Sequence, residues 1–178
     1  MINNWRHRRS FVIPVLTLIA FVFSMTFVRL VSCQQTPTNV GKLLKKLSIT
    51  SSQSEEKIVV GGPCAEAKCL TVFIAPWCPQ CKKMLPQLKQ LQQELPKQGI
   101  PTMIVIGLDG NRERLLTLAK EFSSVTALDT KSSYFDKLPI IGVPYFAVTD
   151  KSGKITDDLY GAVEDSSELK KYLNLSSR

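Results

Sequence analysis

The chain has 178 residues, 44% of them hydrophobic and 21% charged, which fits one ordinary domain with an appendage and excludes a disordered or collagen-like protein. The formal net charge of +8 is unevenly spread: residues 1–32 carry Arg6, Arg8, Arg9 and Arg29 and no acid, so the remainder holds only +4. No part of that remainder joins a basic run to interleaved aromatics, so nucleic acid is not an expected partner. The only histidine, His7, lies in the N-terminal segment, which removes His-ligated metals and a His base from the folded part.

Residues 11–28 form an uncharged, mostly apolar run of 18, led by Arg6-His7-Arg8-Arg9. As a helix it would reach about 27 Å, close to the hydrocarbon thickness of a bilayer, with positive charge on its leading side. Residues 1–32 are therefore read as a signal peptide or membrane anchor, and the chain beyond them as lying outside the cytoplasm. Leu30-Val31-Ser32-Cys33 resembles a bacterial lipobox, making Cys33 the candidate lipidation site, and Arg8-Arg9-Ser10-Phe11-Val12 resembles a twin-arginine export signal. Lipoprotein and uncleaved anchor stand level at this point. Either leaves the remaining cysteines in an oxidising compartment.

Residues 33–56 are rich in Ser, Thr, Gln and Lys and hold no aromatic, so they are expected to be a flexible tether, with 40–47 (VGKLLKKL) a candidate short amphipathic helix on a membrane surface. From about residue 57 to 178 the pattern is that of one α/β domain. A short apolar run at 58–60 ends in Gly61-Gly62-Pro63. Residues 70–75 (LTVFIA) and 103–108 (MIVIGL) read as buried strands. Residues 78–95 and 112–122 carry apolar side chains at helical spacing. Residues 125–128 are a short strand candidate, and 144–149 and 154–160 flank a hairpin turn at Asp150-Lys151-Ser152-Gly153. A last helix over 166–173 is expected to be capped by Ser166 or Ser167. The order reads β-α-β-α-β-β-α, a mixed sheet with helices on both faces.

Trp77-Cys78-Pro79-Gln80-Cys81 falls where a buried strand gives way to a helix. A cysteine at a helix N-terminus is stabilised as the thiolate, which is the nucleophile of thiol chemistry, and a second cysteine one turn on can resolve the mixed disulfide that the first forms. Cys78 is thus the candidate attacking thiol and Cys81 the resolving one. Pro79 fits the first helical turn, where its missing N–H would have no partner. Zinc is disfavoured because Cys64 and Cys69 stand at the other end of the strand, roughly 20 Å away, and no His is at hand.

Ala75-Pro76-Trp77-Cys78-Pro79-Gln80-Cys81-Lys82 resembles the active-site stretch of the thioredoxin superfamily, and the likeness extends over the domain from about residue 57 onward. Pro86 matches the kinking proline of the family's active-site helix, and Gly142-Val143-Pro144 its cis-proline segment. Leu128-Asp129, Ile141-Gly142-Val143-Pro144 and Asp150-Lys151-Ser152-Gly153-Lys154-Ile155, together with the N-terminal run, most resemble membrane-anchored, TlpA-like extracytoplasmic thiol-disulfide oxidoreductases. The resemblance implies a thioredoxin-like fold, a cis Val143-Pro144 bond beside the Cys pair, and an exposed Val143 backbone that pairs with substrate. Two positions depart from the pattern. The buried acid of thioredoxin's first strand is Val72 here, and the acid that TlpA-like proteins often carry after the second cysteine is Met84. That leaves water or a distant acid such as Asp109 to take the Cys81 proton.

Cys64 and Cys69 are expected to form a structural disulfide, with an electron-relaying second pair as the alternative. Trp77 is a candidate substrate contact; Lys82 and Lys83 are a solvated helix face ahead of thiolate stabilisers. Ala75 stands where a thiol peroxidase would carry Thr. The expected function is exchange of disulfides with protein substrates through Cys78 and Cys81, reductase ahead of oxidase, with a membrane redox partner and without cofactor or metal. A non-catalytic peptide-binding or chaperone module and a copper chaperone using Met84 remain as alternatives.

Overall fold

The computed structural model describes residues 38–175; the N-terminal segment 1–32 and Cys33, with the anchor, export and lipid readings attached to them, lie outside those residues. Seven strands make one mixed sheet: β1 (Leu47–Ser51), β2 (Lys57–Val60), β3 (Cys69–Ile74), β4 (Thr102–Gly107), β5 (Ala127–Asp129), β6 (Tyr145–Thr149) and β7 (Ile155–Tyr160). Their order across the sheet is β2-β1-β5-β4-β3-β6-β7. The pairs β3–β4 and β4–β5 are parallel, while β1–β2, β1–β5, β3–β6 and β6–β7 are antiparallel. Among the described residues the α-helices are α1 (Pro79–Lys83), α2 (Leu85–Glu94), α3 (Arg112–Ala119), α4 (Ser133–Lys137) and α5 (Ser166–Tyr172).

The near-continuous apolar strands are explained by burial on both faces, since successive side chains point to opposite sides. Val72, Ile74, Ile104, Ile106, Phe146 and Val148 meet Leu88 and Leu91 of α2, Leu115 of α3 and Leu169 of α5 in one cluster. The alternate residues Phe73, Val105, Tyr145 and Ala147 join a second cluster with Tyr134 of α4, Leu138, Leu44 and Ile49. The ring of Phe73 packs edge-on against Tyr134 at 5.2 Å. The expected α/β sheet with helices on both faces is therefore present.

Four local expectations need correction. Residues 38–56 are not a loose tether: they supply β1 and a strap that crosses the domain. Leu44 is buried, its N–H bonds the Gly153 carbonyl (2.9 Å), and its own carbonyl receives the Gly62 N–H (2.7 Å). Gly41 and Lys42 exchange backbone bonds with Ile155, so no amphipathic helix forms over 40–47. Asn39 is buried, and its side-chain amide donates to the hydroxyls of Tyr145 (3.2 Å) and Tyr160 (2.9 Å) while its N–H reaches Asp158 Oδ2 (2.6 Å). Composition understates this segment because Leu44, Ile49, Asn39 and backbone pairing hold it, with no need for aromatic burial. Gly153 makes the crossing feasible: it sits at φ +81°, and a Cβ there would lie 2.5 Å from the Gly62 carbonyl oxygen.

The second correction is the helix expected over 78–95, which breaks at Met84 into α1 and α2. Pro86 at the start of α2 has no N–H to give the preceding turn, and regular bonding resumes from the Leu88 N–H to the Met84 carbonyl (2.9 Å). Third, α4 between β5 and β6 has no counterpart among the expected elements; it is short, and its N-terminus is satisfied by Asp129, whose carboxylate accepts the N–H groups of Ser133 and Tyr134. Fourth, α5 is capped by Asp165, which accepts from the Ser167 N–H (2.7 Å), a bond that also holds the Asp165 carboxyl below its ordinary range. The Asp150 hairpin forms as expected, with Asp150 Oδ1 accepting from Ser152 and Lys154.

If the strap is part of the core, Leu44→Ala will lower stability to denaturant by about 2–4 kcal/mol, as other buried Leu→Ala changes do. A change below about 0.5 kcal/mol, the level of a surface substitution, would return the segment to a tether.

Candidate active site

β3 carries its chain out of the sheet at Ile74 and turns at Ala75-Pro76-Trp77, where the Cys78 N–H bonds the Ala75 carbonyl (3.2 Å). Cys78 is the N-cap of α1, with extended backbone (φ −81°, ψ 112°) and Pro79 just inside the helix. Its Sγ accepts the Cys81 N–H at 3.1 Å. That donor is one of the amides that the helix start leaves without a backbone partner, and it favours negative charge on the sulfur. Cys78 and Cys81 are joined as a disulfide, Cα–Cα 5.3 Å, with Cys78 3% exposed and Cys81 fully buried. The asymmetry puts Cys78 on the solvent side of the pair.

The Val143–Pro144 bond is cis, and the Val143 carbonyl oxygen lies 3.3 Å from Cys78 Sγ. Sequence separation of 65 residues is thus closed to atomic contact, because β6 follows Pro144 directly and pairs with β3 at Tyr145↔Phe73. The Pro144 carbonyl is used by the Gly161 N–H (2.9 Å). Tyr145 behind it is buried, which pushes its phenol well above the ordinary range. It stays protonated and donates to Asp158 Oδ2 (3.1 Å).

Trp77 is 51% exposed, and its indole N–H donates to the Leu108 carbonyl at 2.7 Å. Ile141, in the loop that leads to Val143, is 60% exposed. The sequence alone assigns no role to Ile141 or to Leu108. A large apolar residue immediately before the cis-proline segment was the available signal for Ile141; nothing in the sequence pairs Leu108 with Trp77.

Lys82 and Lys83 close α1 on its exposed side. Lys82 also lines an open groove of about 430 Å³ with Pro76, Leu85, Arg114, Leu118 and Glu121. Val72 and Met84 lie in the same buried apolar cluster as Cys81, so the positions that carry acids in relatives supply only hydrocarbon and thioether. Asp109 is committed within its own loop. Its Oδ1 accepts the Asn111 N–H (3.0 Å), and its Oδ2 stands 3.1 Å from Arg114 Nε, an ion pair not aligned as a hydrogen bond.

Cys64 and Cys69 are joined by a disulfide, Cα–Cα 5.8 Å, at the start of β3. The six residues of that strand separate the two pairs by roughly 20 Å. Neither sulfur of this pair receives a hydrogen bond among the described residues, unlike Cys78. No group of three or more His, Cys, Asp or Glu side chains gathers among the described residues.

No curated protein matches the sequence. Among solved structures, a candidate thiol:disulfide interchange protein DsbE from Chlorobium tepidum is 18% identical with a TM-score of 0.65, covering 79% of this chain and 100% of its own. StoA from Bacillus subtilis is 21% identical with a TM-score of 0.59, covering 73% of this chain and 97% of its own. An exposed lipoprotein thioredoxin from Streptococcus pneumoniae is 16% identical, TM-score 0.59, covering 73% and 98%. These likenesses fix the fold. The thioredoxin-like domain family matches residues 64–176, a stretch that runs from Cys64, ahead of β3, through the Cys78–Cys81 pair to α5, and the chain belongs to that family.

Proposed function

We propose that the protein is an extracytoplasmic thiol-disulfide oxidoreductase that exchanges disulfides with protein substrates through Cys78 and Cys81. The observation that carries this is the placement of Cys78: an N-cap cysteine whose sulfur takes an amide N–H and whose partner, one turn on, is buried. In the reduced enzyme the Cys78 thiolate attacks one sulfur of a substrate disulfide. A bond forms between Cys78 Sγ and that sulfur, and the other substrate sulfur leaves as a thiolate and takes a proton from water. Cys81 then attacks Cys78 Sγ, the mixed disulfide breaks, and the Cys81 proton passes through solvent to the departing substrate thiolate. Two electrons leave the pair and the substrate is reduced.

Because solvent takes the Cys81 proton, the step needs no enzyme carboxylate, which accommodates Val72 and Met84 at the positions of the family's acids. The substrate seat is Trp77 on one side and the Val143 backbone with Pro144 on the other. One ring and one strip of main chain suit an extended peptide.

The direction proposed is reduction, with electrons supplied by a membrane redox partner. The resemblance to TlpA-like proteins supports that direction, and the thiol:disulfide interchange named for the Chlorobium neighbour supports exchange as such. Placement outside the cytoplasm rests on the apolar run at 11–28, on Cys33 as a lipid site or the run as an anchor, and on the Cys64–Cys69 disulfide. That disulfide is assigned a structural role, since it closes only a short loop and its sulfurs have no amide to stabilise a leaving thiolate.

Cys81→Ser should accumulate covalent adducts between Cys78 and substrate proteins, visible as dithiothreitol-sensitive bands, while Cys78→Ser should form none and lose turnover altogether. Adducts that form on Cys81 would reverse the assignment, and turnover by Cys78→Ser would remove the enzymatic reading. The double change Cys64→Ser/Cys69→Ser should lower stability by at most about 2–3 kcal/mol and leave insulin reduction within about twofold of wild type. Loss of turnover in a folded double variant would make the second pair a redox relay.

A further inference from the structure

Leu108 ends the β4 region with its backbone at φ +56°, in the left-handed region. L side chains avoid this region because Cβ crowds the neighbouring carbonyl, and short polar residues or glycine are the usual occupants. The other described non-glycine residues there, Ser132 and Asn174, are of that small polar kind and sit at helix ends. A leucine in this conformation persists only where its surroundings hold it, and such outliers point to a local task.

The surroundings hold it from both sides. The Leu108 side chain packs against the main core cluster. Before it, Gly107 is closely fitted: a Cβ there would lie 3.1 Å from Phe135 Cε2 and 3.3 Å from Asp129 Cβ. After it, Asp109 ties the loop to the Asn111 N–H and to Arg114, and Asn111 caps α3. The carbonyl carried by this fixed bracket is the one that accepts the Trp77 indole N–H at 2.7 Å. Trp77 is half exposed next to Cys78, so this bond is its polar anchor to the β4–α3 loop.

We propose that Leu108 is the positioning residue for Trp77: its left-handed backbone presents a carbonyl that fixes the indole as one wall of the seat for a protein substrate at Cys78. The proposal rests on the oxidoreductase reading above and adds that docking of a polypeptide, not the chemistry at sulfur, depends on a leucine thirty-one residues from the cysteine's neighbour. A small disulfide needs no such wall.

The test uses the full chain with Trp5→Phe, so that Trp77 is its sole tryptophan. Leu108→Gly keeps the backbone region accessible but removes the side chain that pins it to the core; Leu108→Met keeps the packing. Expected for Leu108→Gly are a lower Trp77 fluorescence anisotropy and a KM for insulin raised about three- to tenfold, with kcat for insulin and turnover of cystine within about twofold of the parent. Leu108→Met restores both readouts. Parent-like anisotropy and KM in Leu108→Gly would overturn the proposal, as would an equal loss on insulin and cystine. A parent chain that reduces neither substrate would defeat the oxidoreductase reading, and the anisotropy of Leu108→Gly would still decide whether Leu108 holds Trp77.

Discussion

β3 is paired on both edges, parallel to β4 and antiparallel to β6, and its residues from Leu70 onward are buried on both faces. This double constraint leaves the strand no freedom of register, because a shift by one residue would exchange the two core clusters. The place where the strand can stop is therefore fixed, and the turn after it delivers Cys78 to a helix start. The same pairing with β6 fixes where Val143 and Pro144 arrive, since the first residue of β6, Tyr145, is opposite Phe73. Cys78 and the Val143–Pro144 peptide across from it are thus placed by one strand with a neighbour on each side.

The site's electrostatics are sparse. A single amide N–H reaches the Cys78 sulfur, and the surroundings of Cys81 are apolar, so burial rather than a carboxylate governs the second thiol. The two cysteines thus differ in a slight exposure and in one hydrogen bond. Beside the pair, Trp77 is half exposed and the Val143 carbonyl lies 3.3 Å from the Cys78 sulfur.

Much of this was legible in the sequence where a local rule acts alone. The strand-to-helix position of the Cys-Pro-Gln-Cys pair, the buried character of 70–75 and 103–108, and the Asp150 hairpin follow from period, burial and turn chemistry. The strap was not legible, because residues 38–46 hold their place through backbone bonds to Gly62, Gly153 and Ile155, one buried asparagine amide and a single buried leucine, Leu44, too little to change the hydrophobic content. The break at Met84 was half legible: Pro86 signals a kink, but a kink and a break differ by how the preceding turn is satisfied. The Trp77–Leu108 contact was invisible, since it uses a carbonyl and a backbone conformation that no side-chain pattern encodes.

The central claim is that the Cys78–Cys81 pair exchanges electrons reversibly with thiols. It is tested most directly by equilibrating a chain that starts near Gln34 with graded reduced and oxidised buffers of dithiothreitol and glutathione, then counting the free thiols of that pair. The account predicts a single two-electron transition toward the reducing end of the superfamily range, near about −270 mV. A transition near about −120 mV would reverse the direction of electron flow, and the absence of any transition between those limits would contradict the account.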